Sequence, residues 1–157
     1  MRGLGQAMVH MVDVSSKDIV QRSAIARGCI RLRRDTVERV LRGEVEKGDV
    51  FTISKLVAIE GAKKTFMLLP FCHPIAVDYV EPKIWVEDGE RVCVEVVVKA
   101  RERTGVEMEA LTAVALALLN VWDMVKKYEK DEEGQYPYTA IEKIVVVSKQ
   151  KLEAHSV

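Results

Sequence analysis

The pair Asp88-Gly89 constrains the fold more than any other sequence feature, because it separates two segments rich in β-branched residues, 77–86 and 91–101. An Asp-Gly pair readily adopts the positive φ angles of a tight turn, so the two segments are predicted to form an antiparallel hairpin. Pro82 lacks a backbone N–H group. It therefore indicates an edge position or a bulge in the first of the two strands.

Two further segments are predicted to be strands. Small or apolar residues recur at every second position in 19–32, with arginines between them, which is typical of a strand buried on one face. Residues 141–148 form the last predicted strand. Residues 1–10 show no periodicity and are interpreted as a loose N-terminal arm, and 149–157 as a polar tail.

Three helices are predicted between these strands. Asp35 is the predicted N-cap of the first, in a capping-box pattern, and Asp49 that of the second, which continues towards Lys64. The third and longest spans about 106–127 and carries an apolar stripe. The segment FMLLPFCHPI, residues 66–75, contains two prolines and is predicted to be an extended, rigid connection.

This order of elements predicts one α+β domain over residues 1–157, with helices packed on one face of an antiparallel sheet. Lys plus Arg and Asp plus Glu are each 24, and a net charge of zero argues against broad electrostatic binding to nucleic acid or to a membrane surface. The longest apolar stretch, 116–122, is interrupted by Asn120. It is far shorter than the ~20 residues of a membrane-spanning helix.

The three cysteines, Cys29, Cys72 and Cys93, are odd in number and form no CxxC pair. Because the N-terminus does not resemble a signal peptide, we expect three reduced thiols in a soluble, cytoplasmic protein. The three histidines lack the spacing of zinc ligands, so no metal site is predicted. The sequence contains neither a Walker motif nor GxGxxG.

Two groups near the prolines and the long helix could carry chemistry. Cys72 and His73 are neighbours on a chain predicted to be extended, so their side chains point to opposite sides and do not form a nucleophile–base pair. Cys72 is then a packing residue, and His73 is either structural or an acid–base group. Glu107 and Glu109 either bind a ligand or only favour the positive end of the helix dipole.

The charged residues of the long helix and a set of basic residues are the other candidates. Asp123 and Lys126 are either an ordinary surface ion pair or, in their apolar segment, a desolvated lysine that exchanges protons near neutral pH. The basic set is suited to phosphate groups and consists of Arg22, Lys47, Lys63 and Lys64. These residues indicate an anionic small molecule and leave the reaction undetermined.

Several blocks occur in the order and spacing of one known family, and they are MVDVS (11–15), KGDV (47–50), AKKT (62–65), LPFCHPI (69–75) and TGVEMEALTAVALALLNVWDMVKK (104–127). From Met11 to about Ser148 the chain resembles molybdenum cofactor biosynthesis protein C, the cyclic pyranopterin monophosphate synthase family. The resemblance implies a ferredoxin-like subunit in a hexamer, a trimer of dimers, with active sites between subunits. It also implies that a cyclised dihydro-GTP, made by a radical-SAM GTP cyclase, is converted to cyclic pyranopterin monophosphate and pyrophosphate.

The resemblance further implies roles for individual residues. Those matched as catalytic are Lys47, His73, Asp123 and Lys126. Those matched as substrate-binding are Arg22, Lys63, Lys64, Leu69, Cys72, His73, Pro74, Glu107, Met108 and Glu109. No resident metal or cofactor is implied, and Mg²⁺ carried by the triphosphate stays an open alternative.

The length of the long helix supports a shared site independently of the resemblance. Glu109 and Asp123 are 14 residues apart, which puts them ~40° apart around the axis but ~21 Å apart along it. One nucleotide-sized ligand cannot reach both, so a neighbouring subunit is predicted to supply one end. A non-catalytic ligand-binding domain is the alternative. An RNA-binding module is excluded by the balanced charge and the low aromatic content of 6%.

Overall fold

The protein is built on one four-stranded antiparallel sheet, seen here in a computed structural model that describes residues 8–152. The strands are β1 (Val20–Arg31), β2 (Tyr79–Glu87), β3 (Arg91–Glu102) and β4 (Ala140–Leu152). The helices are α1 (Arg34–Leu41), α2 (Val50–Leu68) and α3 (Glu107–Glu129). The strand order is β2-β3-β1-β4, which places β1 and β3 in the centre.

The predicted hairpin is confirmed. Asp88 and Gly89 have φ angles of 48° and 73°, positive at both central positions as a type I′ turn requires. The turn pairs β2 with β3, with Glu87 opposite Arg91. β2 is an edge strand, so the edge position inferred from Pro82 is confirmed as well.

One face of the sheet carries the core, and the helices cover that face. Alternate residues of β1 and β3 are buried there, and they include Ala24, Ala26, Ile30, Val92, Val94, Val96 and Val98. α3 packs on β1 and β3, and α2 packs on α3. At Gly28 an added Cβ would lie 3.0 Å from Leu118 and 3.1 Å from Val114, so the missing side chain lets α3 approach the sheet. The predicted α+β fold with helices on one face is confirmed.

By length and composition, α3 could also cross a membrane, and within residues 8–152 it is the one helix that could. Half of its most apolar window is buried inside the protein. Because that buried half packs against the sheet and α2, α3 has the position of a core helix.

The predicted start of α1 is wrong by two residues. The N-cap is Arg33 rather than Asp35, and its side chain makes no capping hydrogen bond. Instead, the Arg33 N–H donates to the buried carboxylate of Glu129 from α3, at 3.2 Å. The same carboxylate accepts hydrogen bonds from the hydroxyls of Thr36 and Thr139. An acceptor distant in sequence therefore fixes this helix start.

The ends of α2 and β4 also differ from the prediction. Asp49 is the N-cap, and its side chain accepts a hydrogen bond from the Thr52 N–H at 3.0 Å, but the helix continues through 66–68, which were predicted to be extended. It ends just before Pro70, which disfavours helical geometry at the preceding residue. β4 extends to Leu152 because it pairs with β1 that far, so 149–152 belong to a strand and not to a tail. The rest of the predicted tail and residues 1–7 of the predicted arm lie outside the described residues.

Cys29 and Cys93 form a disulfide, which corrects the expectation of three reduced thiols. The two residues are direct cross-strand partners of β1 and β3, although 64 residues separate them in sequence. Cys72 is free. The state of the cysteines therefore no longer supports a cytoplasmic location.

Candidate functional site

A cavity of about 500 Å³ lies at the N-terminal end of α3. We call it the carboxylate pocket, and its lining includes Lys17, Cys72, His73, Glu107, Met108 and Glu109. The start of α3 supplies the two glutamates, and the chain that follows α2 supplies Cys72 and His73. The structure thus brings together five of the predicted site residues, from segments about 35 residues apart.

Glu109 is the most deeply buried acid in this pocket, with 3% of its surface exposed. The pKa of Glu109 is raised from 4.5 to about 7, mainly by burial and also by the negative charges of Glu107 and Glu102. Its Oε2 atom is buried and has no hydrogen-bond partner among the described residues. A carboxyl group with this pKa exchanges a proton near neutral pH.

Glu107 presents a second unsatisfied oxygen to the same region. Its Oε1 accepts a hydrogen bond from the Nζ of Lys149 at 3.0 Å, whereas its Oε2 is buried without a partner in the described part of the chain. Buried acceptors are costly when they are left unpaired. Two such oxygens near one cavity therefore favour a ligand that carries N–H or O–H donors.

His73 and Cys72 differ in what they offer to a ligand. The Nε2 atom of His73 lies 2.8 Å from the carbonyl oxygen of Val12 and donates to it, so Nδ1 is the ring atom left to act as an acceptor. Burial raises the pKa of the Cys72 thiol, and the charges of Glu109 and Glu107 raise it further. Cys72 is therefore a thiol and not an activated thiolate at neutral pH, in agreement with a packing residue.

Three further predicted residues meet towards the other end of α3. The Nζ of Lys47 lies 2.8 Å from Asp123 Oδ2, and the Nζ of Lys126 lies 3.0 Å from Asp123 Oδ1. We call Lys47, Asp123 and Lys126 the lysine cluster. Hydrogen bonds from Lys47 and then from Lys126 hold the pKa of Asp123 below its usual value. The single carboxylate thus fixes both ammonium groups.

Of the two alternatives for Asp123 and Lys126, the single chain shows the surface ion pair, and Lys126 is not desolvated. Its side chain is 44% exposed, and its hydrogen bond to Asp123 raises the pKa of Lys126 above the ordinary value. The apolar neighbours of Lys126 in the sequence do not surround its side chain. Met124 and Val125 are buried against the core, while Asp123 and Lys126 face outward. Beside the cluster, Trp122 and Leu119 help to line a shallow cavity of about 380 Å³.

The carboxylate pocket and the lysine cluster do not meet within one chain. Each includes residues of α3, at opposite ends of the helix, and the ~21 Å rise between Glu109 and Asp123 keeps them apart. The separation that the sequence predicted is therefore present, and the two groups together contain eight of the thirteen predicted site residues.

The other predicted residues lie outside both groups. Lys63 and Lys64 are exposed on α2, and Lys64 pairs with Glu60 at 2.7 Å. Pro74 is exposed and Leu69 partly buried, and neither lines the carboxylate pocket. Arg22 lines a neighbouring cleft of about 810 Å³, and its guanidinium donates to the backbone carbonyls of 102 and 103.

Sequence reasoning missed two lysines that the fold adds to the carboxylate pocket. Lys149 reaches Glu107 because β4 extends beyond its predicted end. Lys17 lines both the carboxylate pocket and the cleft of Arg22, so it joins the two. Its position two residues after the MVDVS block was the one sequence sign that could have identified it.

Comparisons with known proteins identify the family of the chain. The model of the MoaC family matches residues 11–151, which is nearly the whole chain. The chain belongs to the MoaC family. It is 58% identical over 142 residues to a protein of Sulfolobus acidocaldarius named probable cyclic pyranopterin monophosphate synthase, covering 90% of this chain and 98% of that protein.

Two other relatives carry related names. A probable cyclic pyranopterin monophosphate synthase of Archaeoglobus fulgidus is 51% identical over 144 residues, covering 91% of each chain. A protein of Methanothermobacter thermautotrophicus is 46% identical over 145 residues, covering 92% of this chain and 91% of that protein. It is named probable cyclic pyranopterin monophosphate synthase accessory protein.

Proposed function

We propose that the protein is a cyclic pyranopterin monophosphate synthase of molybdenum cofactor biosynthesis. Its substrate would be a cyclised dihydro-GTP, which it rearranges to cyclic pyranopterin monophosphate with release of pyrophosphate. The observation that carries the proposal is the pair of unsatisfied buried oxygens, Glu107 Oε2 and Glu109 Oε2, at the carboxylate pocket of a MoaC family member. A guanine-derived ring offers adjacent N–H donors that match such acceptors.

The carboxylate pocket would bind the ring. Glu107 and Glu109 accept hydrogen bonds from the ring N–H groups, and these bonds replace the partners that both oxygens lack. His73 presents Nδ1 as an acceptor at the same cavity. With a pKa of about 7, Glu109 also takes up or releases a proton during ring opening and closure.

The lysine cluster would supply the other half of the acid–base chemistry. In the single chain Lys126 is an ammonium group held by Asp123, which suits a proton donor. A second subunit that covers the cluster would remove water from it, and desolvation lowers the pKa of a lysine. We therefore place the active site between two subunits of a hexamer, with the carboxylate pocket of one chain facing the lysine cluster of its neighbour.

The triphosphate would be restrained by cations around the pocket. Lys17 and Lys149 line or border it, and Arg22 lies in the adjoining cleft. Lys63 and Lys64, exposed on α2, would serve a neighbouring chain. We expect no resident cofactor, although Mg²⁺ can arrive with the triphosphate. The radical-SAM GTP cyclase that makes the substrate would be the functional partner, in the cytoplasm.

The activity test couples the protein to that cyclase. GTP, the cyclase with its reductant and the purified protein are incubated together, and the oxidised pterin product is measured by fluorescence. Lys47→Ala and Lys126→Ala are expected to abolish product while the assembly stays folded. Lys127→Ala is the matched control, because Lys127 pairs with Glu46 and not with Asp123, and it is expected to retain activity.

The outcomes separate the candidate functions. Wild-type protein that binds the substrate without forming a pterin would instead be a ligand-binding domain. Retention of most activity by Lys126→Ala would remove that residue from the mechanism.

A complementation experiment tests the shared site. Glu109→Gln and Lys126→Ala, each inactive alone, are mixed, dissociated and reassembled in equal amounts. If each active site takes its two halves from two chains, about one quarter of the sites regain both functional halves. No recovery from a reassembled mixture would place each active site within a single chain.

A further inference from the structure

The sheet face opposite the helices carries a cluster that the proposed function does not use. Side chains alternate between the faces of a strand, so Cys29 and Cys93 point away from α3 while their neighbours Gly28 and Val94 face it. Glu87, at the end of β2, shares the face of the two cysteines. A cavity of about 590 Å³ opens there, and Cys29 and Glu87 are part of its lining.

We propose that Cys29, Cys93 and Glu87 bind a thiophilic divalent cation such as Zn²⁺ once the disulfide between the two cysteines is reduced. The two sulfur atoms and a carboxylate oxygen of Glu87 all lie within 4.8 Å of one another. Zinc binds sulfur at ~2.3 Å and carboxylate oxygen at ~2.0–2.2 Å. Small side-chain rotations therefore bring three ligands to one ion, and the cavity leaves the fourth position open to water.

Reduction of the Cys29–Cys93 disulfide precedes metal binding. A dithiol reductant gives two electrons and two protons to the Cys29–Cys93 disulfide and itself becomes a disulfide. The ion then binds the two thiolates, and the two thiol protons are released to water. The oxidised and the metal-bound forms exclude each other, because the sulfur–sulfur bond must break before either sulfur can act as an anionic ligand.

The charges around the cluster fit a bound cation. Two thiolates, one carboxylate and Zn²⁺ together carry a charge of −1, and the guanidinium of Arg27, which pairs with Glu87, offsets it. Arg27 is held over the ring of Trp85, 4.8 Å from the centroid. Arg27 and the Trp85 indole N–H both donate to Glu87 Oε1. Oε2 is the oxygen that we assign to the metal, in keeping with hydrogen-bonded carboxylate ligands elsewhere.

The test uses the full-length protein with Co²⁺ as a spectroscopic probe and Zn²⁺ as a competitor. The protein is reduced, freed of reductant under inert gas and titrated with Co²⁺, and a thiol count confirms that the disulfide has opened. We expect one Co²⁺ per chain with a thiolate-to-cobalt charge-transfer band, which Zn²⁺ abolishes. The oxidised wild-type protein is the control. Its two sulfur atoms are joined in the disulfide, so it should give no such band.

Variants define the ligand set. Cys29→Ser is expected to lose the band, and Glu87→Gln to weaken binding by roughly tenfold or more. Cys72→Ser is the matched control, since Cys72 lies at the carboxylate pocket on the other side of the sheet, and it should bind as wild type. A disulfide that resists reduction in the folded protein, a reduced protein without the band, or unchanged binding in Cys29→Ser or Glu87→Gln would overturn the proposal.

Discussion

Replacing Glu109 with glutamine tests whether burial controls the ionisation of that carboxyl group. The pKa of Glu109 is about 7 in the folded protein, against 4.5 for an exposed glutamate. Because the folded state holds the proton more tightly than the unfolded state, protonation of Glu109 favours folding. Its contribution to stability is fully present below about pH 4.5, decreases as the pH rises and is gone above about pH 7.

The magnitude follows from the difference in pKa. A difference of about 2.5 pKa units at ~1.4 kcal/mol per unit gives a change of about 3 kcal/mol between about pH 4 and about pH 8. The amide introduced by Glu109→Gln cannot ionise, so the free energy of unfolding of the variant lacks this dependence on pH. Relative to wild type, Glu109→Gln should therefore gain about 3 kcal/mol over that pH range.

The assay is unfolding in guanidinium chloride at both pH values and at one protein concentration. With a denaturant slope of about 4 kcal/mol per molar, the unfolding midpoint of the variant should rise by about 0.7 M relative to wild type between the two conditions. The cost of burying an amide does not depend on pH. It therefore cancels when the difference between variant and wild type is compared at the two pH values. Glu60→Gln, at an exposed residue paired with Lys64, is the control and should show no comparable gain. A difference between Glu109→Gln and wild type that stays constant with pH would refute the reasoning.

Three other predictions follow from the structure. Glu129→Ala removes a buried acceptor of several hydrogen bonds and should lower the free energy of unfolding by about 3 kcal/mol, measured by denaturant unfolding. Gly28→Ala would bring a methyl group to 2.9 Å from Ile144 of β4 and 3.0 Å from Leu118 of α3. It should cost about 1–3 kcal/mol in the same assay, whereas an unchanged midpoint would mean that these side chains can move away freely. Asp123→Asn removes the partner that raises the pKa of Lys126, so a titration of the lysine side chains by NMR should show that pKa fall, and no shift would contradict the assigned pair.

Local patterns predicted the elements of the fold well. The alternation of small and apolar residues in β1 and the Asp88-Gly89 turn each depend on neighbours in the sequence, and the structure confirms both. Helix α1 shows where such patterns fail. Asp35 is a residue type that commonly caps helices. The helix nevertheless begins where the backbone N–H of Arg33 donates to Glu129, which lies 96 residues later in the sequence. No residue close to Asp35 in the sequence indicates that contact.

The candidate site was predicted only in part, because some of its contacts also join residues that are distant in sequence. The carboxylate pocket and the lysine cluster contain residues of the recognised blocks, so their membership could be predicted. The role of Lys149 depends on the pairing of β4 with β1, and the Cys29–Cys93 bond depends on the register of β1 with β3. The exposure of Lys126 depends on the rotation of α3, because residues in one apolar segment of a helix do not share one face.

Helix α3 runs without a break from the carboxylate pocket to the lysine cluster. The length of the helix is therefore constrained in evolution. Inserting one residue between Ala110 and Asn120 would turn one end by ~100° and move it by ~1.5 Å relative to the other. The carboxylate pocket and the lysine cluster would keep all their residues, but they would no longer face their counterparts on the neighbouring chain. We therefore expect the length of α3 to tolerate no change, whereas the exposed turn at 132–135, in the loop that follows it, can gain or lose residues.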